Sequence, residues 1–444
     1  MQGVSEFIKE LSNFIWGPHM IILLVGIGVY LTFKTKFIQF RGFIHAFRTL
    51  FFPGKDSLTG DITPFQALCT ALSGAIGIGN IVGVATAIAA GGPGAVFWMW
   101  ITAIVGMATS YSECLLAVKY RITHSGEVSG GPMYYLENGL GLKWLGICFA
   151  IFALCASFGI GNMVQANSVA EALYDAFKIP KWFTGITLAI LIGLVIIGGI
   201  KRIGIVASRL VPFMVVIYIG GSLIILIKNF SLLPKAFFSI FYHAFNPIAA
   251  TGGFAGALVK EAIRFGIARG LFSNEAGLGS TPIAHAAAKI DQPVKEGLIA
   301  MLGPFIDTIV VCTMTALVII VSDAWKSGET GAVLSSMAYG KSILGGRYII
   351  VTGVVLFGFS TIISWSYYGD RCIKYLLGEK MLYVYKWLYV LMIFIGACVH
   401  LEIVWNFSDV TNGLMAIPNL IALLGLSKIV VKETNNYFSE KMIK

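Results

Sequence analysis

Eleven apolar stretches, each close to the length of a bilayer crossing, recur along the chain and leave little between them from which a separate soluble domain could be built. They lie at about 15–33, 65–90, 94–118, 144–170, 182–199, 205–227, 250–288, 296–322, 348–370, 382–401 and 410–430. A helical crossing needs ~20 apolar residues, and inside lipid every backbone polar group must be satisfied within the protein, which selects helices. With 57% hydrophobic and 12% charged residues and a mean hydropathy of +0.83, an ordinary water-soluble domain is excluded. The expectation is one all-α integral membrane unit of eleven transmembrane helices. The first stretch follows Glu6, Lys9 and Glu10 and has no small-residue cleavage motif, so it is expected to be retained and not removed as a signal peptide.

The net charge of +10 would suit nucleic acid in a soluble protein, but in a membrane protein basic residues gather in cytoplasmic loops. Lys34, Lys36, Arg41, Arg48 and Lys55 follow the first span, and alternate loops add Lys119, Arg121, Lys143, Lys201, Arg202, Arg209, Lys289, Lys295, Arg371, Lys374 and Lys380. Lys428, Lys432, Lys441 and Lys444 in the tail fall on the same side. This bias predicts an outside N-terminus, a cytoplasmic C-terminus, residence in the cell membrane and no nucleic-acid partner. The seven cysteines are scattered without a CxxC pair and read as small core residues. Nothing here fixes an oligomeric state.

Two spans depart from smooth apolar helices. Span 2 contains Gly77-Ile78-Gly79-Asn80, and span 7 contains Phe272-Ser273-Asn274-Glu275-Ala276-Gly277-Leu278-Gly279-Ser280. Each glycine lowers helix stability by ~1 kcal/mol, so both clusters are places for a helix to unwind. Unwound backbone survives at membrane depth only where protein or a water-filled cavity surrounds it. Five spans begin with the first interruption and five with the second, and an odd number per set inverts one against the other. The pattern predicts a 5+5 inverted repeat, spans 2–6 and 7–11, with one extra N-terminal helix. The corresponding division is 1–62 for the first helix and its loop, 63–228 and 245–430 for the two repeats, and 431–444 for a tail.

A zwitterionic amino acid brings two opposite charges into a low-dielectric site, and each needs a partner there. A broken helix offers free amides for a carboxylate and free carbonyls for sodium or ammonium. Gly77 and Gly79 let backbone approach a ligand, Asn80 adds a side-chain carbonyl, and Ala75 and Ile76 can contribute backbone oxygens. Plain helix packing through the Gly79-to-Gly83 spacing is the competing reading for the glycines. In span 9, Ser360, Ser364 and Tyr367 or Tyr368 fall near one face. Their hydroxyls suit sodium, or equally a helix-packing role. Gln165 and Asn162 supply uncharged polar groups in span 4, and Glu275 and Asp307 are carboxylates within spans, where ionisable groups are usually functional.

The run Gly91-Gly92-Pro93-Gly94-Ala95-Val96-Phe97-Trp98-Met99-Trp100, following Gly77 through Thr86, resembles the alanine or glycine:cation symporters, as do Gly159 through Gln165 and Phe272 through Ser280. The resemblance runs from the first span to the tail and implies the leucine-transporter fold. It further implies that Ala75, Gly77, Gly79, Asn80, Gln165, Phe272, Thr361, Ser364 and Trp365 border the amino acid. One sodium ion would meet Ala75, Asn80, Ser273 and Asp307 or Thr308. A second would meet carbonyls of Ser73, Ile76 and Phe357 with the hydroxyls of Ser360 and Thr361. The expected function is sodium-coupled uptake of alanine or glycine by alternating access, with proton coupling as the alternative. An ion channel would need rings of selectivity groups. An enzyme would need a motif such as HExxH or GxSxG, and the sequence contains neither.

Overall fold

The computed structural model describes residues 2–52, 59–124, 126–246, 255–399 and 402–442. The opening of the expected seventh span (250–254), the end of the tenth (400–401), and Lys55, His400 and Lys444 lie outside the described residues. Helices α1 (Gln2–Ile15) and α2 (Pro18–Lys34) precede a broken pair, α3 (Pro64–Ala75) and α4 (Val82–Gly91). Then come α5 (Gly94–Lys119), a small hairpin, α6 (Lys143–Phe158), α7 (Val164–Phe177), α8 (Lys181–Ile196) and α9 (Gly199–Lys228). The second half holds α10 (Ala255–Asn274), α11 (Thr281–His285), α12 (Pro293–Ala300), α13 (Thr313–Val321), α14 (Gly346–Leu377), α15 (Leu382–Cys398) and α16 (Glu402–Met442). Shorter helices fill the connections.

Eight helices among the described residues are long and apolar enough to cross a bilayer, or nine when α3 and α4, bent by 60°, are taken as one span. Two of the eleven expected spans fall short for identifiable reasons. Helix α8 has 16 residues, and α10 carries Lys260, Glu261, Arg264 and Arg269. Eleven therefore stays an expectation, while the all-helical architecture with interrupted helices is what the structure shows. The one departure from all-α among the described residues is the hairpin of β1 (Ile122–His124) and β2 (Glu127–Ser129), paired antiparallel between α5 and the next helix. The last helix also runs on through the expected tail to Met442.

Burial separates a lining from a wall. In the most apolar stretch of α5, 83% of residues are buried, against 33% for α9, which turns Phe213, Val216, Ile224 and Ile227 outward. In water such a surface would aggregate; against lipid it costs nothing. The interrupted helices sit inside this wall: α10 packs on α5 and α4, and α3 packs on α9 and α14.

One end of the bundle is fastened by backbone. Residues Ile62 and Ala288 form a parallel bridge, and Arg121, just past α5, spreads its guanidinium over four carbonyls. Its Nη1 donates to Ala286 O at 3.1 Å and Ala288 O at 2.8 Å, and its Nη2 to Thr59 O at 3.1 Å and Ile290 O at 2.8 Å. A planar fork of five donors is suited to gathering several acceptors at once. Arg371 and Lys374, at the end of α14, hold Glu127 of the hairpin at 3.1 and 3.2 Å.

Candidate substrate and cation site

Helix α3 starts cleanly. Pro64 occupies its first position, while Thr63 and Gln66 exchange side-chain-to-backbone bonds at 3.2 and 3.0 Å. It stops at Ile76, whose ψ of 85° leaves the helical region, and the extended Gly77 redirects the chain into a single tight turn, Ile78–Asn80. That turn closes with the Asn80 and Ile81 amides donating to Gly77 O and Ile78 O at 3.3 and 3.1 Å. It therefore begins with the Ile78 and Gly79 amides, the groups that a helix start leaves open.

Asn80 is fully buried and bonds in two directions. Its Oδ1 accepts from the Gly77 amide at 3.0 Å, and its Nδ2 donates to Asp307 Oδ1 at 2.6 Å. The other Asp307 oxygen accepts from Ser273 Oγ at 2.9 Å and from Thr308 Oγ1 at 2.7 Å. Asn274 Nδ2 donates to Thr308 Oγ1 at 3.3 Å. Four of the five residues expected at the first sodium ion, Asn80, Ser273, Asp307 and Thr308, thus form one buried oxygen cluster between the two breaks. Ala75, half-buried at the end of α3, stands outside that hydrogen-bonded set.

Three of the residues expected at the second ion, Ser73, Phe357 and Ser360, form a separate ladder between α3 and α14, which the Thr361 hydroxyl does not join. Ser73 Oγ donates to Ser360 O at 2.8 Å and lies 2.7 Å from Ser364 Oγ, which donates to Thr70 O at 2.8 Å. Ser360 Oγ donates to Phe357 O at 2.9 Å and lies 3.4 Å from Ser73 O. Ile76 and Phe357 are fully buried beside them. Ser364, expected next to the amino acid, joins this ladder instead of the group around Gly77.

That group is Gly77, Gln165 and Thr361. A Cβ on Gly77 would lie 2.8 Å from Thr361 Oγ1 and 3.5 Å from Gln165 Oε1. Both oxygens are buried without a hydrogen-bond partner, although Gln165 Nε2 is anchored on Ile160 O at 3.1 Å. Buried polar atoms are rarely left unpaired, because each such atom forfeits ~1–3 kcal/mol. Two such atoms stand side by side at the opened helix. The half-buried Phe272 ring borders the same turn, 3.3 Å from the Cβ position of Gly79.

Trp365 sits against Gly161, where a Cβ would fall 2.3 Å from the tryptophan's own Cβ. Its Nε1 donates to Glu275 Oε1 at 3.1 Å, and Ser280 Oγ donates to Glu275 Oε2 at 2.5 Å. Glu275 itself has a φ of 55°, and Gly277 and Gly279 have φ of 89° and 86°, so left-handed residues alternate through the second break, two of them glycines that take this region without strain. Asn162 turns away from the site and donates to Tyr389 O at 2.8 Å. Glu261 and Arg264, three residues apart, form a pair at 3.7 Å.

Several participants carried no sequence signal. Cys312 Sγ lies 3.3 Å from both Asn80 Nδ2 and Ser273 Oγ, and Thr315 Oγ1 donates to Asn80 O at 2.8 Å. Wide π turns at Gly159–Met163 and Phe305–Cys312 carry Asn162 and Asp307, and the second of them holds Asp307 against Asn80.

Two interrupted helices that bring buried oxygen groups together inside a lipid-facing wall define a multi-pass membrane transporter, not an enzyme. The fold is shared with a crystal structure of MhsT in complex with L-phenylalanine, with a TM-score of 0.57 over 87% of this chain and 99% of that one at 13% identity. This is the leucine-transporter fold. The chain belongs to the sodium:alanine symporter family, which it matches over residues 1–444. It is 49% identical to the sodium/alanine symporter AgcS of Methanococcus maripaludis over 97% of each chain. It is 39% identical to the probable sodium/glutamine symporter GlnT of Bacillus subtilis over 99% of this chain and 92% of that one. Cation-coupled amino-acid transport follows from the family and from these relatives.

Proposed function

We propose that the chain couples the entry of sodium to the uptake of a small neutral amino acid, alanine or glycine, by alternating access. The observation that carries this reading is the convergence on Gly77 of two unpartnered buried oxygens, Thr361 Oγ1 and Gln165 Oε1. They suit the ammonium of an amino acid, and the open amides of the adjoining turn suit its carboxylate. The close approach of Thr361 and Gln165 to Gly77 favours a ligand with a short side chain. The named specificity of the 49% identical relative supports alanine, and that of the 39% identical one makes glutamine the competitor to test.

Sodium is substrate here, carried with the amino acid. The first ion is assigned to Asn80, Ser273, Asp307 and Thr308 with the Ala75 carbonyl, and the second to the carbonyls of Ser73, Ile76 and Phe357 with the hydroxyls of Ser360 and Thr361. Ser364 is assigned to support the second set. A membrane potential of about 100 mV supplies ~2.3 kcal/mol per entering ion, roughly fifty-fold accumulation. The basic loops support an outside N-terminus and a cytoplasmic C-terminus. On that orientation the Arg121 fastening closes the inner end while the two repeats, 63–228 and 245–430, exchange access around the site.

Radiolabelled alanine uptake into proteoliposomes tests this directly, with sodium replaced by choline at constant pH. The expected outcome is accumulation that requires sodium, is competed by glycine and not by glutamine, and is lost in Asn80→Ala. Uptake that persists in choline would give the coupling to protons, and sodium-driven uptake of glutamine with none of alanine would remove alanine as the substrate.

A further inference from the structure

Two short apolar helices of the wall pack along each other, α8 with 16 residues and α15 with 17. At 1.5 Å per residue α8 rises about 24 Å, short of the ~30 Å hydrocarbon core. A groove of about 600 Å³ runs between them, walled by Ile190, Leu194 and Ile197 on one side and by Tyr383, Trp387 and Val390 on the other. Gly193 keeps the helices close, its Cβ position lying 3.6 Å from Val390 Cγ2, while Ile190, Leu194, Tyr383 and Trp387 are exposed. The Tyr383 and Trp387 rings meet edge to face at 6.1 Å, and both residue types favour the membrane interface.

One end of this groove is basic. Lys386 lines it, with Nζ 3.7 Å from Asp370 Oδ2, and that carboxylate is already held more closely by Arg371 at 3.0 Å. Arg202 folds back over Gly198, and its Nη1 donates to the carbonyl of the groove residue Leu194 at 2.7 Å. A guanidinium has five donors, and among the described residues this is the one hydrogen bond that Arg202 makes. Lys201 and Lys380 are exposed neighbours in sequence. The carboxylate that lines the groove, Glu379, is met by Lys374 at 2.8 Å, so the surplus charge at this end is positive. Beside a helix too short for the core, such charges are drawn toward the level of the acyl chains, where hydrocarbon gives them nothing.

We propose that this groove binds an anionic phospholipid, with one acyl chain lying between α8 and α15 and the phosphodiester held by Lys386 and Arg202. On the orientation read from the basic loops, the lipid belongs to the inner leaflet, where anionic headgroups meet basic pockets between helices. Arginine offers a phosphate two parallel donors and lysine a point charge, so together they select net negative charge and not one particular headgroup. A zwitterionic lipid brings the same chain, but its ammonium cancels the attraction. A phosphate that draws Lys386 away leaves Asp370 to Arg371 alone. Because α8 lies in the first repeat and α15 in the second, the bound lipid bears on both.

Trp387 itself reports whether the groove is occupied. Purified protein is placed in phosphatidylcholine bilayers that contain either phosphatidylglycerol or phosphatidylcholine brominated on an acyl chain, and the fluorescence quenching lost in Trp387→Phe is the signal of that ring. The expected result is that brominated phosphatidylglycerol quenches Trp387 at a mole fraction at least about threefold lower than brominated phosphatidylcholine does. Lys386→Gln combined with Arg202→Gln is expected to bring the two lipids level. Equal quenching of Trp387 by both lipids with the two basic residues in place would mean a groove filled by bulk lipid only and would overturn the proposal, as would a preference that survives the double substitution. The first comparison needs only the exposed Trp387→Phe change, so it decides the matter even if the double variant does not fold. Neither sodium nor amino acid is added, which makes the result independent of what the chain carries.

Discussion

The two helix breaks look alike in sequence and are built differently. The first, at Ile76 to Ile81, is held locally, where Asn80 caps the Gly77 amide, and from afar, where Asn80 meets Asp307 and Thr315, yet Thr361 Oγ1 and Gln165 Oε1 beside Gly77 stay unpartnered. The second, from Glu275 to Ser280, is stapled from several sides. Trp365 and Ser280 donate to the two Glu275 oxygens, and Asn419 Nδ2 donates to Gly277 O at 2.9 Å and also to Glu113 Oε1. Its left-handed residues are held by this network. A break with open polar groups is adapted to meet a ligand, whereas a break with saturated ones is adapted to hold its shape. Glycine content alone does not distinguish the two.

The contrast is sharpest in variants that separate affinity from stability. Asp307→Ala should have the largest effect, because it removes the carboxylate that accepts from buried Asn80, Ser273 and Thr308, at ~1–3 kcal/mol each, and leaves Asn80 and Ser273 only longer contacts such as that to Cys312 Sγ. Sodium-driven uptake is expected to fall by at least about a hundredfold, measured on protein whose membrane level has been checked. Glu275→Gln should come next, but on stability: one of the two donors, Trp365 or Ser280, loses its carboxylate partner, and the midpoint of thermal unfolding in detergent is expected to drop, with KM changed less than about threefold. Gln165→Ala should do the converse, raising KM by roughly tenfold while leaving the unfolding midpoint nearly unchanged. If Glu275→Gln shifts only KM and Gln165→Ala only stability, the assignment of roles to the two breaks is reversed.

The smallest expected effect lies outside the spans. Burial works against the Glu127 carboxylate, but Arg371 and Lys374 outweigh it and hold the group below the usual glutamate range. A depressed carboxylate contributes stability above its unfolded value and loses it as pH falls through the folded one. Wild-type protein is therefore expected to lose a little stability on acidification below the ordinary glutamate range, and Glu127→Gln to lack that part of the decline. A variant with an unchanged acid limb would show that the hairpin is fastened by backbone alone. Because Glu127 is half exposed, solvent screening keeps this contribution small.

Both breaks were legible because their cause is local: Gly, Asn and Ser clusters interrupt an otherwise apolar pattern, and period and composition are what a single sequence displays. What joins the breaks was not legible. Thr315 reaches Asn80 across 235 positions and Ser73 reaches Ser364 across 291, and no spacing rule links residues so far apart. The resemblance supplied the groupings that periodicity lacks, bringing Asn80, Asp307, Ser273 and Thr308 together by name. It did not distinguish Ser364, which stands in the hydroxyl ladder, from its neighbour Thr361, which faces Gly77. The span count was blurred by length and charge: α8 is too short and α10 too polar for a composition test, although both take their places in the bundle.

Arg121 gives one more lesson, about tolerance to change. Among the described residues, everything it grips apart from Asp291 at 3.3 Å is main chain. Backbone carbonyls are present whatever the side chain, so drift at Ala286, Ala288 or Ile290 need not loosen this grip. The burden falls on the arginine itself, since a lysine has three donors on a single nitrogen and cannot span four acceptors with a planar fork. A fastening made this way depends on no particular side chain at its acceptors and concentrates its vulnerability in one guanidinium.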